Sequence, residues 1–273
     1  MLKNNENLRI QLLNVCDQNC FFCHGEGLDG KPQVIDEEIM WKTIDAAFAL
    51  GRRSFSFTGG EPTLHPKLGD YITQLRGRGE DVEISLTTNG ARLNLFSMEL
   101  FSKLSKLSIS LHSVDREEYQ RITGKDCLSD VLENIAYVVS GRLKNLSVNM
   151  VVGKNNVAGV PTMVQYCREQ GLGLKLLDII GKCDKAMSPD EIRRSLGSCD
   201  VEFKAKNYYP KCIGCGSRQI CGEGEYLRLG ADSTLAPCLY RPDLVQVIGK
   251  TDSEQTIKSK VELGFRRLHL DDL

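Results

Sequence analysis

Short apolar segments alternate with longer amphipathic segments between residues 8 and 180 of the chain. The apolar segments have the length of β-strands and occupy residues 8–15, 54–57, 82–87, 106–111, 146–152 and 174–180. The segments between them carry apolar residues at helical spacing. This regular alternation predicts a parallel βα repeat with six strands.

Capping residues mark the ends of several predicted helices. Asp36 is placed to cap a helix over residues 37–50, and Ser129 and Asp130 open another helix that runs to Val139. Six parallel strands with right-handed helical crossovers form an open, partial barrel whose functional residues follow the carboxyl ends of the strands. We therefore predict an α/β fold, with a partial (β/α)6 barrel in residues 1–181 and a small C-terminal region in residues 182–273.

Composition narrows the class of protein. The chain has 273 residues, a formal net charge of −1 and no long basic run, so we expect no nucleic-acid partner. It shows neither a signal-peptide pattern nor an apolar segment of membrane-spanning length, which predicts a cytoplasmic protein without a membrane partner. Its 11 cysteines are therefore expected to be metal ligands and reduced core thiols rather than disulfides.

Three of these cysteines, Cys16, Cys20 and Cys23, form a C-x3-C-x2-C array directly after the first predicted strand. Three thiolates at this spacing suit three irons of a four-iron cluster and leave the fourth iron open. A structural zinc site is the alternative, because His24 follows the array and zinc takes four ligands of these kinds.

The second predicted strand is followed by Thr58-Gly59-Gly60-Glu61-Pro62. Adjacent glycines let a ligand approach the backbone closely, although a plain strand-to-helix turn has the same composition. Together with the cysteine array, this sequence resembles the radical S-adenosylmethionine (SAM) enzymes. The resemblance implies that SAM binds to the open iron of a [4Fe–4S] cluster and yields a 5′-deoxyadenosyl radical. It also implies that SAM's amino group contacts Glu61 and the backbone of Gly59, Gly60 and Pro62.

Polar residues also follow the third and fourth predicted strands. Thr87, Asn89, Ser110 and His112 offer hydroxyl, amide and imidazole groups to the mouth of the predicted barrel. Thr87 and Asn89 are candidate cofactor contacts, although Asn89 is first a turn signal, because Gly90 follows it. His112 is equally typical of a buried core or rim histidine.

Short motifs distributed over residues 8–240 narrow the resemblance. They are Leu8-Arg9-Ile10, Thr87-Thr88-Asn89-Gly90, Ile122-Thr123-Gly124, Val148-Asn149 and Leu227-Arg228-Leu229 before a Pro-Cys pair. Together they resemble the molybdenum-cofactor GTP 3′,8-cyclase lineage. The resemblance implies a second cluster in the C-terminal region and a substrate-binding role for Arg9. It implies SAM contacts at Phe22, Gly60, Ser110 and Ile180.

Two positions depart from that lineage. The GTP cyclases carry basic residues two positions before Thr58 and directly before Val148, where this chain has Ser56 and Ser147. A triphosphate needs several cations to offset its charge, and a serine does not replace the fork of an arginine. We therefore expect a relative of the GTP cyclases that acts on another substrate.

The C-terminal region contains a second array, in which the cysteines follow a C-x2-C-x5-C-x16-C spacing. Its members are Cys212, Cys215, Cys221 and Cys238. Its C-x2-C-x5-C part resembles the auxiliary-cluster domains of radical SAM enzymes that modify peptides and small molecules, and this resemblance favours a second [4Fe–4S] cluster. A zinc site with four cysteine ligands is the alternative.

These features predict a radical SAM enzyme of the oxidoreductase or lyase type that abstracts hydrogen from a small nucleoside-like or sugar-like metabolite. Oxidation, epimerisation, cyclisation or rearrangement would follow. Arg9 and Arg228 are the expected anchors for an anionic substrate, with His112 as a further substrate-binding residue. The expected protein partner is an electron donor such as flavodoxin or ferredoxin.

Two alternatives remain open. A maturase that modifies a peptide would use the same chemistry; only seven residues precede the first predicted strand, so we expect any leader-binding domain to be a separate protein. A non-catalytic iron–sulfur electron carrier, or a zinc-stabilised binding module, is the alternative from a different class.

Overall fold

The structure is a computed structural model that describes residues 6–23, 31–143, 145–179, 184–197, 201–204, 226–239 and 241–269. The strands are β1 (Asn7–Gln11), β2 (Ser54–Thr58), β3 (Glu83–Thr88), β4 (Lys106–Ser110), β5 (Leu146–Val152), β6 (Gly173–Asp178), β7 (Glu202–Lys204), β8 (Tyr226–Leu229), β9 (Thr234–Ala236) and β10 (Gln246–Val247). The helices are α1 (Glu37–Ala49), α2 (Leu68–Arg76), α3 (Met98–Ser102), α4 (Arg116–Thr123), α5 (Leu128–Ser140), α6 (Val160–Glu169), α7 (Pro189–Leu196) and α8 (Glu254–His269).

The chain divides into two compact units. The first unit comprises Met1–Cys16, Gly25–Leu86 and Lys211–Leu273, and the second comprises Asp17–His24 and Thr87–Pro210. From β1 to β7 the strands alternate with helices, as expected for parallel pairing. In the first unit, β8 pairs with β1, so part of the predicted C-terminal region shares a sheet with the first strand. The predicted domain boundary after residue 181 stays a prediction.

The sheet of the first unit has the strand order β10-β9-β8-β1-β2-β3. Strands β8, β1, β2 and β3 are parallel, whereas β9 and β10 run antiparallel to their neighbours. Leu8, Ile10 and Phe57 are fully buried, while Arg9 and Ser56 occupy the intervening positions of the same strands. Because successive side chains of a strand point to opposite faces, one face of this sheet is apolar and the other is polar.

A buried ion pair fastens α8 within the first unit. Arg52 Nη2 lies 2.7 Å from Glu6 Oε2, and both side chains are almost completely buried. The Arg52 guanidinium also lies over the ring of Phe265 on α8, 4.8 Å from the centroid. A buried charge needs such a partner, because removal from water is costly for an isolated ion.

The sheet of the second unit has the order β4-β5-β6-β7, and its strands are parallel. Ile109, Val148, Met150 and Leu176 are fully buried and form part of its core. Most intervening positions of β4 and β5 are polar, although Val151 is apolar. In these two strands, one sheet face is therefore apolar and the other is largely polar.

The central elements agree with the sequence prediction, and the differences have local causes. The strand predicted over residues 146–152 is β5, and Asp36 caps α1 by accepting from the Ile39 N–H at 3.1 Å. The first predicted strand leaves the ladder early, because β1 ends at Gln11 and Leu13 instead forms an isolated bridge with Val34. The sequence did not predict β7–β10, which are too short to show an alternating pattern.

None of the helices in the described part of the chain is both long and apolar enough to cross a bilayer.

Candidate active site

The turn after β2 lies directly against the segment that leads into the cysteine array. The Gly60 N–H donates to the Leu13 oxygen at 2.7 Å, and the Glu61 N–H donates to the Val15 oxygen at 2.8 Å. A Cβ atom on Gly60 would lie 2.1 Å from the Val15 oxygen, and one on Gly59 would lie 2.8 Å from the Leu13 oxygen. Both approaches are too close for a side chain, so the turn requires glycine at these positions. It thereby fixes the backbone immediately before the first cysteine.

The Glu61 carboxylate is held at the end of β2, where it is almost completely buried. Its Oε1 accepts from the Thr63 N–H at 3.0 Å and from the Thr63 hydroxyl at 2.6 Å. Pro62 follows it as the first residue of a short 3-10 helix. A fixed carboxylate in a low-dielectric site attracts an ammonium group strongly. This chemistry suits the predicted contact with SAM's amino group, which stays a prediction.

Two arginines lie side by side on the polar face of the first unit's sheet. The register of β1 places Arg9 opposite Arg228 on β8 and opposite Ser56 on β2. The Arg9 guanidinium donates to Thr58 Oγ1 at 3.3 Å and lies over the Tyr226 ring, 5.5 Å from its centroid. Both arginine side chains are half-buried. The pair can present two planar forks to a phosphate or carboxylate group.

In the second unit, Asn89 holds the cysteine loop, residues 17–23, through Asp17. Its Nδ2 donates to Asp17 Oδ1 at 2.7 Å, and its Oδ1 accepts from the Ala91 N–H at 3.0 Å. The other Asp17 oxygen, Oδ2, accepts from Arg92 Nε at 3.1 Å. Thr87 is half-buried, two residues before Asn89. The sequence offered Asn89 as a turn residue or a cofactor contact, and the structure shows in addition that it fastens this loop.

The C-terminal end of α4 holds the same loop through the backbone. The Asn19 N–H donates to the Thr123 oxygen at 2.8 Å, and the Phe21 N–H donates to the Ile122 oxygen at 3.2 Å. Gly124 ends α4 in the left-handed conformation, with φ at +69°, and an added Cβ would contact Asn19 at 3.4 Å. The motif Ile122-Thr123-Gly124 therefore seats the cysteine loop by using helix-end carbonyl groups that lack intrahelical partners.

Phe22 packs edge-to-face against His112, with ring centroids 4.7 Å apart. His112 is buried, and its Nδ1 accepts from the Val151 N–H at 3.1 Å. Burial lowers the pKa of His112 to about 4, so the imidazole is neutral near pH 7. The predicted roles of Phe22 in SAM binding and of His112 in substrate binding stay predictions.

Ser110 lies at the end of β4, in register with Asn149 on β5, and both side chains are half-buried. Two pairs nearer the start of these strands, the hydroxyls of Ser108 and Ser147 are 3.3 Å apart and buried. Ser147 is thus engaged with another neutral hydroxyl at the position where the GTP cyclases carry a basic residue.

The structure describes the predicted metal ligands in part. Cys16 ends a segment of the first unit and is exposed, whereas Cys20 and Cys23 belong to the second unit, half-buried and exposed respectively. Cys238 follows β9 and is half-buried. Three other predicted ligands lie outside the described residues, namely Cys212, Cys215 and Cys221. The predicted SAM contact Ile180 also lies outside them. Within the described ranges, no three His, Cys, Asp or Glu side chains are gathered into a metal-binding geometry.

The residues present nevertheless suit a cluster and SAM. The thiols of Cys16, Cys20 and Cys23 form no disulfide, and soft thiolates are the ligands that iron–sulfur clusters take. The glycine turn leaves no side chain between β2 and the start of the array. A buried carboxylate on the same turn supplies the charge that an ammonium group needs. The ligand assignment itself stays a prediction.

Sequence reasoning missed Asp17, Gln18, Arg92 and Tyr119 as residues that organise the cysteine loop. Asp17 and Gln18 stand between the first two cysteines, which is the one signal that marks them. Arg92 and Tyr119 carry no local signal, because their partners are 75 and 101 residues away in sequence.

Comparison with known proteins shows which family the chain belongs to. Residues 10–167 match the radical SAM superfamily. Over 94% of its length, the chain is 30% identical to a protein of Sulfurisphaera tokodaii named "Probable GTP 3',8-cyclase", of which it covers 89%. The predicted likeness to that lineage is confirmed.

Solved structures show the same fold at low sequence identity. Streptococcus suis SuiB bound to precursor peptide SuiA superposes with a TM-score of 0.70 at 17% identity; the match covers 97% of this chain and 64% of that one. Native anSMEcpe with bound AdoMet gives a TM-score of 0.67 at 17% identity, covering 95% of this chain and 82% of that one. The predicted α/β fold class with an open parallel sheet is confirmed. Because more than half of its sequence matches the radical SAM superfamily, the chain belongs to that superfamily.

Proposed function

We propose that this radical SAM enzyme abstracts hydrogen from a small, anionic, nucleoside-like or sugar-like metabolite, and that Arg9 and Arg228 bind the anionic group. A [4Fe–4S] cluster and SAM are the cofactors of the superfamily, and together they supply a 5′-deoxyadenosyl radical. A flavodoxin or ferredoxin as electron donor and a cytoplasmic location belong to the same proposal. So does a second cluster on the C-terminal cysteine array.

The residues of the chain divide the work. Cys16, Cys20 and Cys23 would hold the cluster, and Glu61 would bind SAM's ammonium group. Gly59 and Gly60 keep the turn free of side chains, so that a ligand can reach its backbone groups. Orientation of the substrate against the reactive atom is the protein's main contribution in such chemistry.

The observation that carries the substrate class is the pairing of Arg9 with Arg228 on neighbouring strands. Two like charges in register repel each other, and an anion that binds both guanidinium groups offsets this repulsion. The flanking positions hold neutral groups, Ser56 in register and the Tyr226 ring beneath the Arg9 guanidinium. A phosphate or carboxylate with a flat or hydroxyl-rich body fits such a surface.

Modification of a peptide is the second candidate. It is favoured by the fold shared with SuiB, whose structure contains a precursor peptide. The chain spans less than two thirds of that protein, however, and the likeness extends to the fold alone.

The test uses anaerobically reconstituted full-length protein with SAM and dithionite, and measures 5′-deoxyadenosine by chromatography. We expect turnover to be stimulated by anionic nucleosides or sugars. Substitution Arg9→Gln or Arg228→Gln should raise KM about 10- to 100-fold, since a charge-assisted hydrogen bond contributes about 1.5–3 kcal/mol. The matched control is Arg266→Gln, an exposed residue of α8. Stimulation of turnover by peptides alone would contradict the proposal. So would an equal increase in KM for neutral analogues in the arginine variants.

GTP is the informative substrate in the same assay, because the relatives carry the name GTP 3′,8-cyclase. We expect no cyclic product, since Ser56 and Ser147 are neutral and buried where the cyclases have basic residues. Robust formation of the cyclic nucleotide would show that this chain is a GTP cyclase whose triphosphate is bound by other cations.

A further inference from the structure

A chain of hydrogen bonds leads from Cys20 into the core of the second unit. The Cys20 thiol donates to Gln18 Oε1 at 3.7 Å, and Gln18 Nε2 donates to the Tyr119 hydroxyl at 2.7 Å. Cys127 Sγ lies 3.9 Å from Gln18 Nε2 and 3.5 Å from the Tyr119 hydroxyl. One amide therefore connects a predicted iron ligand to a phenol and to a second thiol.

Tyr119 is the buried, fixed member of this hydrogen-bond network. It is fully buried on α4, the helix whose last carbonyl groups hold Asn19 and Phe21 of the cysteine loop. Burial raises the pKa of the Tyr119 hydroxyl, and its hydrogen bond with Cys127 adds to the effect. The hydroxyl thus keeps its proton near neutral pH and can both donate and accept.

The direction of the hydrogen bonds can reverse at each member of the chain. A glutamine amide, a phenol and a thiol each donate and accept. Cysteine loses its proton when it binds iron, so Cys20 then only accepts. A half-turn of the Gln18 amide directs Nε2 toward the Cys20 sulfur and lets Oε1 accept from Tyr119. The network therefore suits both the metal-free and the iron-bound cysteine.

We propose that Gln18, held by Tyr119, is a positioning residue that donates an N–H hydrogen bond to the Cys20 sulfur in the iron-bound protein and raises the reduction potential of the cluster. The inference rests on the proposed ligation of the cluster by Cys20. Its physical basis is that hydrogen bonds to cluster sulfurs stabilise the more negative, reduced state. Cys20 is also the half-buried member of the array, where a hydrogen bond is screened least.

The experiment is a redox titration of the reconstituted full-length protein, followed by electron paramagnetic resonance, with iron content measured on the same samples. Gln18→Leu removes the donor, and Gln18→Glu keeps the shape but offers a charged acceptor. Both should shift the midpoint potential of the first cluster downward, Gln18→Glu further. Tyr119→Phe should give a smaller downward shift, because Gln18 loses its hydrogen bond with the Tyr119 hydroxyl.

Gln165→Leu is the matched control, since this exposed glutamine bonds only a neighbouring side chain of its helix in the described structure; its midpoint should equal that of the wild type. If Gln18→Leu fails to take up iron, the midpoint potential is measured on Gln18→Glu and Tyr119→Phe instead. Unchanged potentials in Gln18 variants with full iron content would overturn the inference. A Cys20→Ala variant that retains every iron would instead overturn the proposed ligation.

Discussion

At the residue scale, the backbone of residues 13–16 passes so close to Gly60 that one added carbon atom would collide with it. The nearest atoms are the Val15 oxygen at 2.1 Å and the Val15 carbonyl carbon at 2.3 Å from an added Cβ. These are backbone atoms, which cannot rotate away as a side chain would. The amino acid at this position is therefore selected by backbone packing, in addition to any contact with a cofactor.

We predict that Gly60→Ala destabilises the fold by about 1–3 kcal/mol, as overpacking usually does, and lowers iron uptake. The measurement is urea unfolding of the metal-free protein, together with iron analysis after reconstitution. Gly77→Ala is the control, because its φ is −62° and its added Cβ would meet nothing closer than 3.4 Å. Equal stability of the two variants would show that the backbone before Cys16 shifts to accommodate the added carbon atom.

A second prediction at this scale concerns His112 and the pH dependence of stability. Its pKa is about 4 in the folded chain, against an ordinary value of 6.5. As the pH falls from 6.5 to 4, the unfolded chain takes up a proton that the folded chain does not. The free energy of unfolding should therefore decrease over this range, by on the order of 3 kcal/mol from this residue.

Urea unfolding at a series of pH values measures this effect. His112→Asn should flatten the profile between pH 4 and 6.5, because the amide oxygen still accepts from the Val151 N–H but takes up no proton. Identical slopes for the variant and the wild type would mean that His112 titrates normally in the folded protein.

At the scale of elements, α8 is joined to the first unit through the buried Arg52. The guanidinium stacks on Phe265 of α8 and pairs with Glu6, one residue before β1. The C-terminal helix and the first strand therefore depend on the same buried charge. Such a pair contributes little net stability when intact, but removing one partner leaves a buried charge unmatched.

We predict that Glu6→Ala destabilises the protein by about 3–5 kcal/mol, measured by chemical unfolding. Its matched control is Glu262→Ala, which breaks an exposed i,i+4 pair with Arg266 and should cost no more than about 0.5 kcal/mol. A loss below about 1 kcal/mol for Glu6→Ala would indicate that other groups or water satisfy Arg52.

At the scale of the whole molecule, two cysteine arrays distinguish this chain. The first contributes Cys16, Cys20 and Cys23, and the second supplies four cysteines, of which Cys238 lies in the described structure. Four thiolates can ligate every iron of a cluster, which suits electron transfer or the folding of a short region better than direct binding of substrate.

Iron and sulfide analysis tests this assignment. We expect about eight irons per chain when both arrays hold four-iron clusters, and about four when Cys16, Cys20 and Cys23 are changed together to Ala. That triple variant should also lose reductive cleavage of SAM. The control is Cys167→Ala, a buried thiol outside both arrays, which should keep the full iron content. Zinc in place of the remaining iron would refute the second cluster.

The sequence by itself determined the elements and the cofactor chemistry. Strand and helix periods are local properties, so the predicted strands at residues 54–57 and 146–152 match β2 and β5 closely. The spacing of Cys16, Cys20 and Cys23 is a property of the sequence itself, and so is the Gly59-Gly60 pair in residues 58–62. These two motifs together were enough to indicate the family.

Only the tertiary structure decided which distant residues organise the site. Asn89 meets Asp17 across 72 residues of sequence, and Gln18 meets Tyr119 across 101. The environment of His112 was likewise open, because burial and the hydrogen bond to Nδ1 depend on β5 packing beside it. Such contacts are set by the packing of many side chains at once, whereas sequence patterns report one element at a time.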